Sequence, residues 1–166
     1  MSEGEASVLT ELTEIVNFVY DQLGPTHLES IYMGALGREL EANGFELERQ
    51  SPIPVWFTTS LGKRHHITTL YADFVVRRYR QTYLLETKAI NPTAANIEAT
   101  QRQVNAYVRF SDEVYNGCYG LFFPKSIDKE ASVVSMFSIE EYDTIEVCAD
   151  VSYRGKTESN YSAALD

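Results

Sequence analysis

Hydrophobic residues recur three and four positions apart in the first forty residues of the chain. This spacing predicts an amphipathic helix over about 7–22. The run Leu23-Gly24-Pro25 ends that helix, because glycine and proline interrupt helical pairing. A second helix is expected to begin at Thr26 and to end at Asn43-Gly44.

Alternating apolar and polar positions follow and predict three strands. The first, 45–58, contains Pro52 and Pro54 and is expected at an edge of the sheet, since proline cannot donate to a ladder. The next two, 67–77 and 82–90, are joined by a link short enough for a hairpin.

The pattern after the hairpin predicts a helix over 94–110 and a strand over 118–123, with further strands at 131–137 and 144–153. The core order is therefore helix, three strands, helix, strand. That order predicts an α/β protein whose sheet is flanked by helices.

The length of 166 residues and the 44% of hydrophobic residues fit one globular domain. We expect this domain to span 1–154, with its core in 9–125 and a C-terminal elaboration in 128–154. Residues 155–166 are expected to form a loose tail.

The net charge of −10 is unevenly distributed. Residues 1–24 carry five acids and no base, and residues 128–166 carry nine acids and three bases. The middle, 25–127, carries ten acids and eleven bases and is nearly neutral. Proteins that bind nucleic acids are usually basic, so the charge opposes such a role if the acidic ends lie near the site.

Features of targeting and redox chemistry predict an intracellular protein, cytoplasmic or, in a eukaryote, nuclear. No apolar run approaches the roughly 20 residues that span a bilayer, and the acidic N-terminus does not resemble a secretory signal. Cys118 and Cys148 lack motif spacing and are interpreted as buried thiols in a reducing compartment.

Two carboxylates and a lysine interrupt the two strongest strands. Asp73 lies within an apolar run, and burying a carboxylate is costly unless it is paired or binds a metal. Glu86 raises the same question, and Lys88 lies about 7 Å farther on the same face of the strand. In a hairpin, Asp73 can approach that face.

Converging carboxylates beside an ammonium group suit the hydrolysis of a phosphodiester. The carboxylates can hold a hard divalent cation, which polarises the phosphate and activates water, and the lysine can offset developing negative charge. The alternative is an internal salt bridge between Lys88 and either acid that locks the hairpin.

Two helices carry further polar candidates. Glu29 belongs to a capping box that begins at Thr26, or it faces the core with Tyr32 and supplies the metal site. Gln103 and Tyr107 lie four residues apart and can contact a phosphate, a base or metal-bound water, or they are a solvated glutamine above a core tyrosine. Basic residues that can contact nucleic-acid phosphates, or form ordinary solvated surface, are Arg77, Arg78, Arg80, Lys63, Arg64 and Arg102.

The ordered series of these motifs resembles the GxxExxY proteins, a family within the PD-(D/E)XK nuclease superfamily. The resemblance extends from about residue 9 to residue 123. Its motifs are Leu23-Gly24-Pro25, Leu28-Glu29-Ser30-Ile31-Tyr32, Gln50-Ser51-Pro52-Ile53-Pro54-Val55, Ala72-Asp73-Phe74, Glu86-Thr87-Lys88-Ala89 and Gln103-x-x-x-Tyr107.

The resemblance implies an αβββαβ core (the restriction-endonuclease-like fold) and a role for each motif residue. It implies that Asp73, Glu86 and the backbone carbonyl of Thr87 bind Mg²⁺, with Mn²⁺ as a substitute. Glu29 would reach the metal directly or through water, and Lys88 would be the catalytic lysine. Gln103 and Tyr107 match the QxxxY motif of nuclease domains in bacterial helicase–nuclease recombination enzymes.

Two positions depart from the family pattern: Thr26 replaces the glycine of GxxExxY, and Phe122-Phe123-Pro124 replaces an Asn-Phe pair. The first hypothesis is a magnesium-dependent DNA nuclease that acts in repair, recombination or processing, with a homodimer as one expected state. The second is a non-catalytic binding or regulatory module that uses a protein partner through its acidic ends. A third is hydrolysis of another phosphoester, such as a nucleotide.

Overall fold

A computed structural model describes residues 3–138, and the side chains of 7–136. Two helices precede the sheet and one crosses it, with bounds α1 Glu3–Leu23, α2 Glu29–Ala42 and α3 Ala94–Phe110. The five strands are β1 Glu46–Thr58, β2 Arg64–Arg78, β3 Gln81–Lys88, β4 Gly117–Phe122 and β5 Ser132–Ser138. The αβββαβ order predicted from the sequence is therefore confirmed, beginning at α2.

The five strands form one mixed sheet in the order β1-β2-β3-β4-β5. Neighbouring strands are antiparallel except β3 and β4, which are parallel and are connected through α3. A parallel pair needs a crossover of this kind, since a tight turn can only reverse the chain. The proline-containing β1 lies at one edge, as its sequence predicts.

The two faces of the sheet bury separate hydrophobic clusters. Helices α1 and α2 cover one face, where Leu12, Leu36 and Leu85 are fully buried. Helix α3 covers the other face and contributes Val104, Tyr107 and Val108. No helix in the described part of the chain is long and apolar enough to span a membrane.

The sheet divides into a fork at its centre. Ladder pairing between β2 and β3 extends from the hairpin turn only as far as Phe74 with Leu85. Beyond that pair, β3 continues beside β4 as far as Lys88. Strand β2 instead runs beside β1 alone, back to the turn that joins β1 and β2. The fork therefore leaves backbone groups of both strands available to side chains.

The start of α2 differs from the capping box predicted from the sequence. The N-cap is Leu28, whose side chain makes no capping hydrogen bond. Thr26 has a φ of 71° and lies outside the helix, so its hydroxyl does not cap the first turn. The predicted strand 144–153 and the predicted tail lie outside the described residues.

Candidate active site at the fork of the sheet

Asp73 and Glu86 are the first residues of β2 and β3 beyond the last ladder pair. Asp73 Oδ2 accepts a hydrogen bond of 2.8 Å from the backbone N–H of Thr87. Because the strands diverge here, the Thr87 N–H donates to the aspartate side chain and not to a backbone carbonyl of a regular ladder. The site thus begins where regular pairing ends.

Lys88 and Gln103 connect β3 to α3. Lys88 Nζ lies 3.4 Å from Glu86 Oε1 and donates a 2.7 Å hydrogen bond to Gln103 Oε1. Gln103 Nε2 donates to Glu86 Oε1 at 3.0 Å and to the Tyr107 hydroxyl at 2.6 Å. Gln103 uses its acceptor and its donors within this network, so its amide fixes the positions of the lysine and the glutamate.

Glu86 is the most deeply buried acid of the group. Its side chain is almost inaccessible, at 2% exposure for the residue, and its Oε2 has no hydrogen-bond partner among the described residues. Burial raises the pKa of its carboxyl to about 7, and the nearby Asp73 charge adds to this rise while Lys88 opposes it. A buried carboxylate oxygen without a donor is costly unless a cation approaches it.

The other two acids show the same tendency. Burial raises the pKa of Asp73, although the Thr87 N–H and the Lys88 charge oppose the rise. Burial and the Asp73 charge raise the pKa of Glu29, which also accepts a hydrogen bond from the backbone of Ala89. Each carboxyl is thus disfavoured as an isolated anion, an arrangement that a bound cation would relieve.

The acids of β2 and β3 fit a divalent cation through oxygen ligands. Asp73 and Glu86 lie together, and Oε2 of Glu86 is available as a ligand. Among the described residues, no group of three or more His, Cys, Asp or Glu side chains lies close enough to hold a metal. Glu29 is therefore electrostatically coupled to the site without joining the two acids as a third direct neighbour.

Gln50 is a contact of the site to which sequence reasoning gave no role. It stands opposite Asp73, between the ladder pairs of Arg49 with Phe74 and Ser51 with Ala72. Its φ of 49° is left-handed, and its side chain makes a hydrogen bond that lowers the pKa of Asp73. A glutamine in an apparently regular strand carries no signal of such a conformation.

The predicted basic contacts are not gathered at the acids. Arg77 and Arg78 lie at the closed end of the β2–β3 hairpin, at least about 13 Å along β2 from Asp73. Arg77 forms ion pairs with Glu48 and Glu113, and Arg78 with Glu11. The rest of this set lies elsewhere on the surface: Arg80 in the hairpin turn, Lys63 and Arg64 at the far end of the β1–β2 hairpin, and Arg102 beside Glu98 on α3.

A mixed sheet in αβββαβ order, with a buried acid pair and a lysine at its fork, defines a nuclease-like α/β protein. The chain belongs to the PD-(D/E)XK nuclease superfamily, whose family model matches residues 6–132. Members of this superfamily are typically nucleases, and they usually use divalent metals. No curated protein matches the chain.

The buried charge of Glu86 predicts a stabilising substitution. Between pH 4.5 and about 7 the folded protein retains a proton that the unfolded chain has released. The free energy of unfolding of the metal-free protein therefore falls as pH rises through that window. Glu86→Gln removes this loss and is expected to add about 1 to 3 kcal/mol at pH 8, and almost nothing at pH 4.

Urea unfolding of the metal-free proteins at the two pH values measures this effect. The control is Glu46→Gln, which changes an exposed acid on the edge strand. A Glu86→Gln protein that is less stable than the parent at pH 8 would show that the pair with Lys88 stabilises the fold.

Proposed function

We propose that the protein is a magnesium-dependent deoxyribonuclease that hydrolyses phosphodiester bonds at the fork of its sheet. The observation that carries the proposal is the unpartnered Oε2 of Glu86, buried beside Asp73 and Lys88. The carboxylate oxygens of Asp73 and Glu86 are the hard ligands that Mg²⁺ prefers.

A structural salt bridge accounts less well for the same residues. Lys88 does form an ion pair with Glu86, with 3.4 Å between Nζ and Oε1, but its second contact is with Gln103 of α3, outside the hairpin. The pKa of Glu86 is raised to about 7, with burial outweighing Lys88. The lysine therefore does not fully compensate the burial of Glu86, and a divalent cation at Glu86 and Asp73 would add the missing compensation.

Each residue of the fork has a separate role in this reaction. Asp73 and Glu86 would hold the cation, with the Thr87 carbonyl as the expected third protein ligand and Glu29 acting through water. A bound Mg²⁺ supplies a Lewis acid that polarises the phosphate. Lys88, held by Gln103 at 2.7 Å, orients the attacking water and offsets the charge that develops on the phosphate.

One feature before α2 and one within it support placement among the GxxExxY proteins. The residue at the motif's glycine position, Thr26, has a φ of 71°, a conformation that favours glycine and is rare for a β-branched residue. The motif tyrosine, Tyr32, is buried, donates a 2.7 Å hydrogen bond to the Gly24 carbonyl and stacks on Phe123. The structure thus gives a reason for a glycine at the first motif position and for a tyrosine at the last.

Magnesium titration followed by a cleavage assay tests the proposal. We expect calorimetry to show one Mg²⁺ or Mn²⁺ site with a dissociation constant below about 1 mM, the range of specific oxygen-ligand sites. We expect DNA cleavage only when the metal is present, and chelation should stop it.

A different result would favour the binding module. The chain's net charge of −10 is the observation in favour of that function. Absence of metal binding and cleavage, together with a tight protein partner, would replace the nuclease proposal with it.

A further inference from the structure

Beyond the fork, β1 and β2 continue as a two-stranded ribbon, which we define as residues 54–69. The ribbon ends in a turn in which the N–H of Thr59 donates a 2.8 Å hydrogen bond to the carbonyl of Lys63. None of its residues belongs to the hydrophobic clusters of the described chain. Core burial therefore does not explain its length.

The ribbon is basic within an acidic protein. Residues 51–72 contain no Asp or Glu, although the chain carries 24 acids in total. The same segment contains Lys63 and Arg64 and two of the three histidines. Both side chains are exposed, and within the described residues no carboxylate forms an ion pair with Lys63 or Arg64. Such a surface attracts a polyanion.

Exposed aromatic rings accompany these charges. Trp56 and Phe57 are each 44% exposed, on a ribbon that has no core to cover them. The Arg64 guanidinium lies over the Trp56 ring, 4.2 Å from its centroid, and the His66 ring meets it edge-on at 5.2 Å. An aromatic ring next to a cation is a favourable surface for stacking a nucleic-acid base.

Strand β2 connects this surface directly to the candidate active site. Tyr71 is 53% exposed and lies two residues before Asp73 on the same strand. His66, the ladder partner of Trp56, lies seven residues before Asp73. A bulge in β2 opposite Val55 and Trp56 shortens this separation to about 20 Å, the length of about six stacked nucleotides.

We propose that the ribbon binds an unpaired segment of the nucleic-acid substrate, with bases stacked on Trp56 and phosphates near Lys63 and Arg64. The inference rests on the nuclease function proposed above and adds a substrate class: a single strand, flap or overhang that reaches the fork. Unpaired bases present their ring faces, whereas a duplex presents only base edges in its grooves. Exposed rings therefore favour the single strand.

Trp56 is the only tryptophan of the chain, so its fluorescence reports on the ribbon directly. We expect a thymidine oligonucleotide of about 20 nucleotides to quench the emission of the wild-type protein without added metal. A duplex of the same length is expected to cause less quenching. In anisotropy titrations, Trp56→Ala should weaken binding of the single strand by about 5- to 50-fold.

Matched variants separate stacking from a general effect of the ribbon. Trp56→Phe keeps a ring and is expected to restore most of the affinity. Leu61→Ala changes a residue of the ribbon that is 94% exposed and carries no ring, and it should change affinity by less than about twofold. Unquenched emission, unchanged affinity in Trp56→Ala, or duplex binding as tight as single-strand binding would each overturn the inference.

Metal titration distinguishes this failure from failure of the nuclease proposal. Trp56 is remote from the acids, so Trp56→Ala should bind Mg²⁺ as the parent does. Normal metal binding and cleavage with unchanged affinity in Trp56→Ala would overturn only the role of the ribbon. Ring-dependent binding of the single strand without metal binding would uphold the ribbon and overturn the nuclease.

Discussion

Asp73→Asn is expected to lower the rate of DNA cleavage by about 10³-fold, or about 4 kcal/mol of transition-state stabilisation. The amide oxygen of asparagine can still accept the 2.8 Å hydrogen bond from the Thr87 N–H, so the fork should keep its shape. The negative charge that would hold the cation is lost. The cleavage rate and the Mg²⁺ affinity measured by calorimetry are therefore expected to fall together.

The matched control for Asp73→Asn is Asp112→Asn, the same change at an exposed acid after α3. It should leave cleavage and metal affinity within about twofold of the parent, the usual effect of a surface change. If Asp73→Asn cleaved DNA at a rate within tenfold of the parent, this acid would not bind the catalytic metal.

Lys88→Met is expected to lower the cleavage rate by about 10²- to 10³-fold, the usual effect of removing one charged donor from a transition state. Methionine has a similar length and no charge, so the space between Glu86 and Gln103 stays filled. Metal affinity should be maintained or increased, because a positive charge 3.4 Å from Glu86 Oε1 is removed. The rate and the metal affinity therefore separate in this variant.

Single-turnover cleavage and Mg²⁺ calorimetry on the same preparation measure the two effects of Lys88→Met. Lys125→Met, at an exposed position after β4, is the matched control. Loss of metal binding in Lys88→Met would mean that the lysine supports the structure of the site, and cleavage at the parent rate would remove it from the mechanism.

The convergence of Asp73, Glu86 and Lys88 was predictable from the sequence because it depends on local rules. Alternation along one strand puts Glu86 and Lys88 on one face, and a short link between the two strands predicts a hairpin. The contact of Gln103 with this group was only partly predictable, since it depends on how α3 packs across the sheet.

Other features depend on contacts that no local pattern contains. Arg78 forms an ion pair with Glu11 of α1, which is distant in sequence. The cluster of arginines around Arg78 therefore gives no indication of this partner. Gln50 reaches Asp73 through a left-handed backbone, which a strand pattern does not predict. The prediction of a capping box at Thr26 was wrong, because the sequence Thr26-His27-Leu28-Glu29 also fits a left-handed turn before the helix.

The absence of core residues in the ribbon has a consequence for evolution and engineering. A segment that adds no buried side chain to the clusters of the described chain can change in length and sequence with little effect on the folding equilibrium. The acids at the fork are constrained instead by the activity proposed for them. Chimeras that exchange only the hairpin tip are therefore expected to fold, and under the role proposed for the ribbon they would change substrate preference.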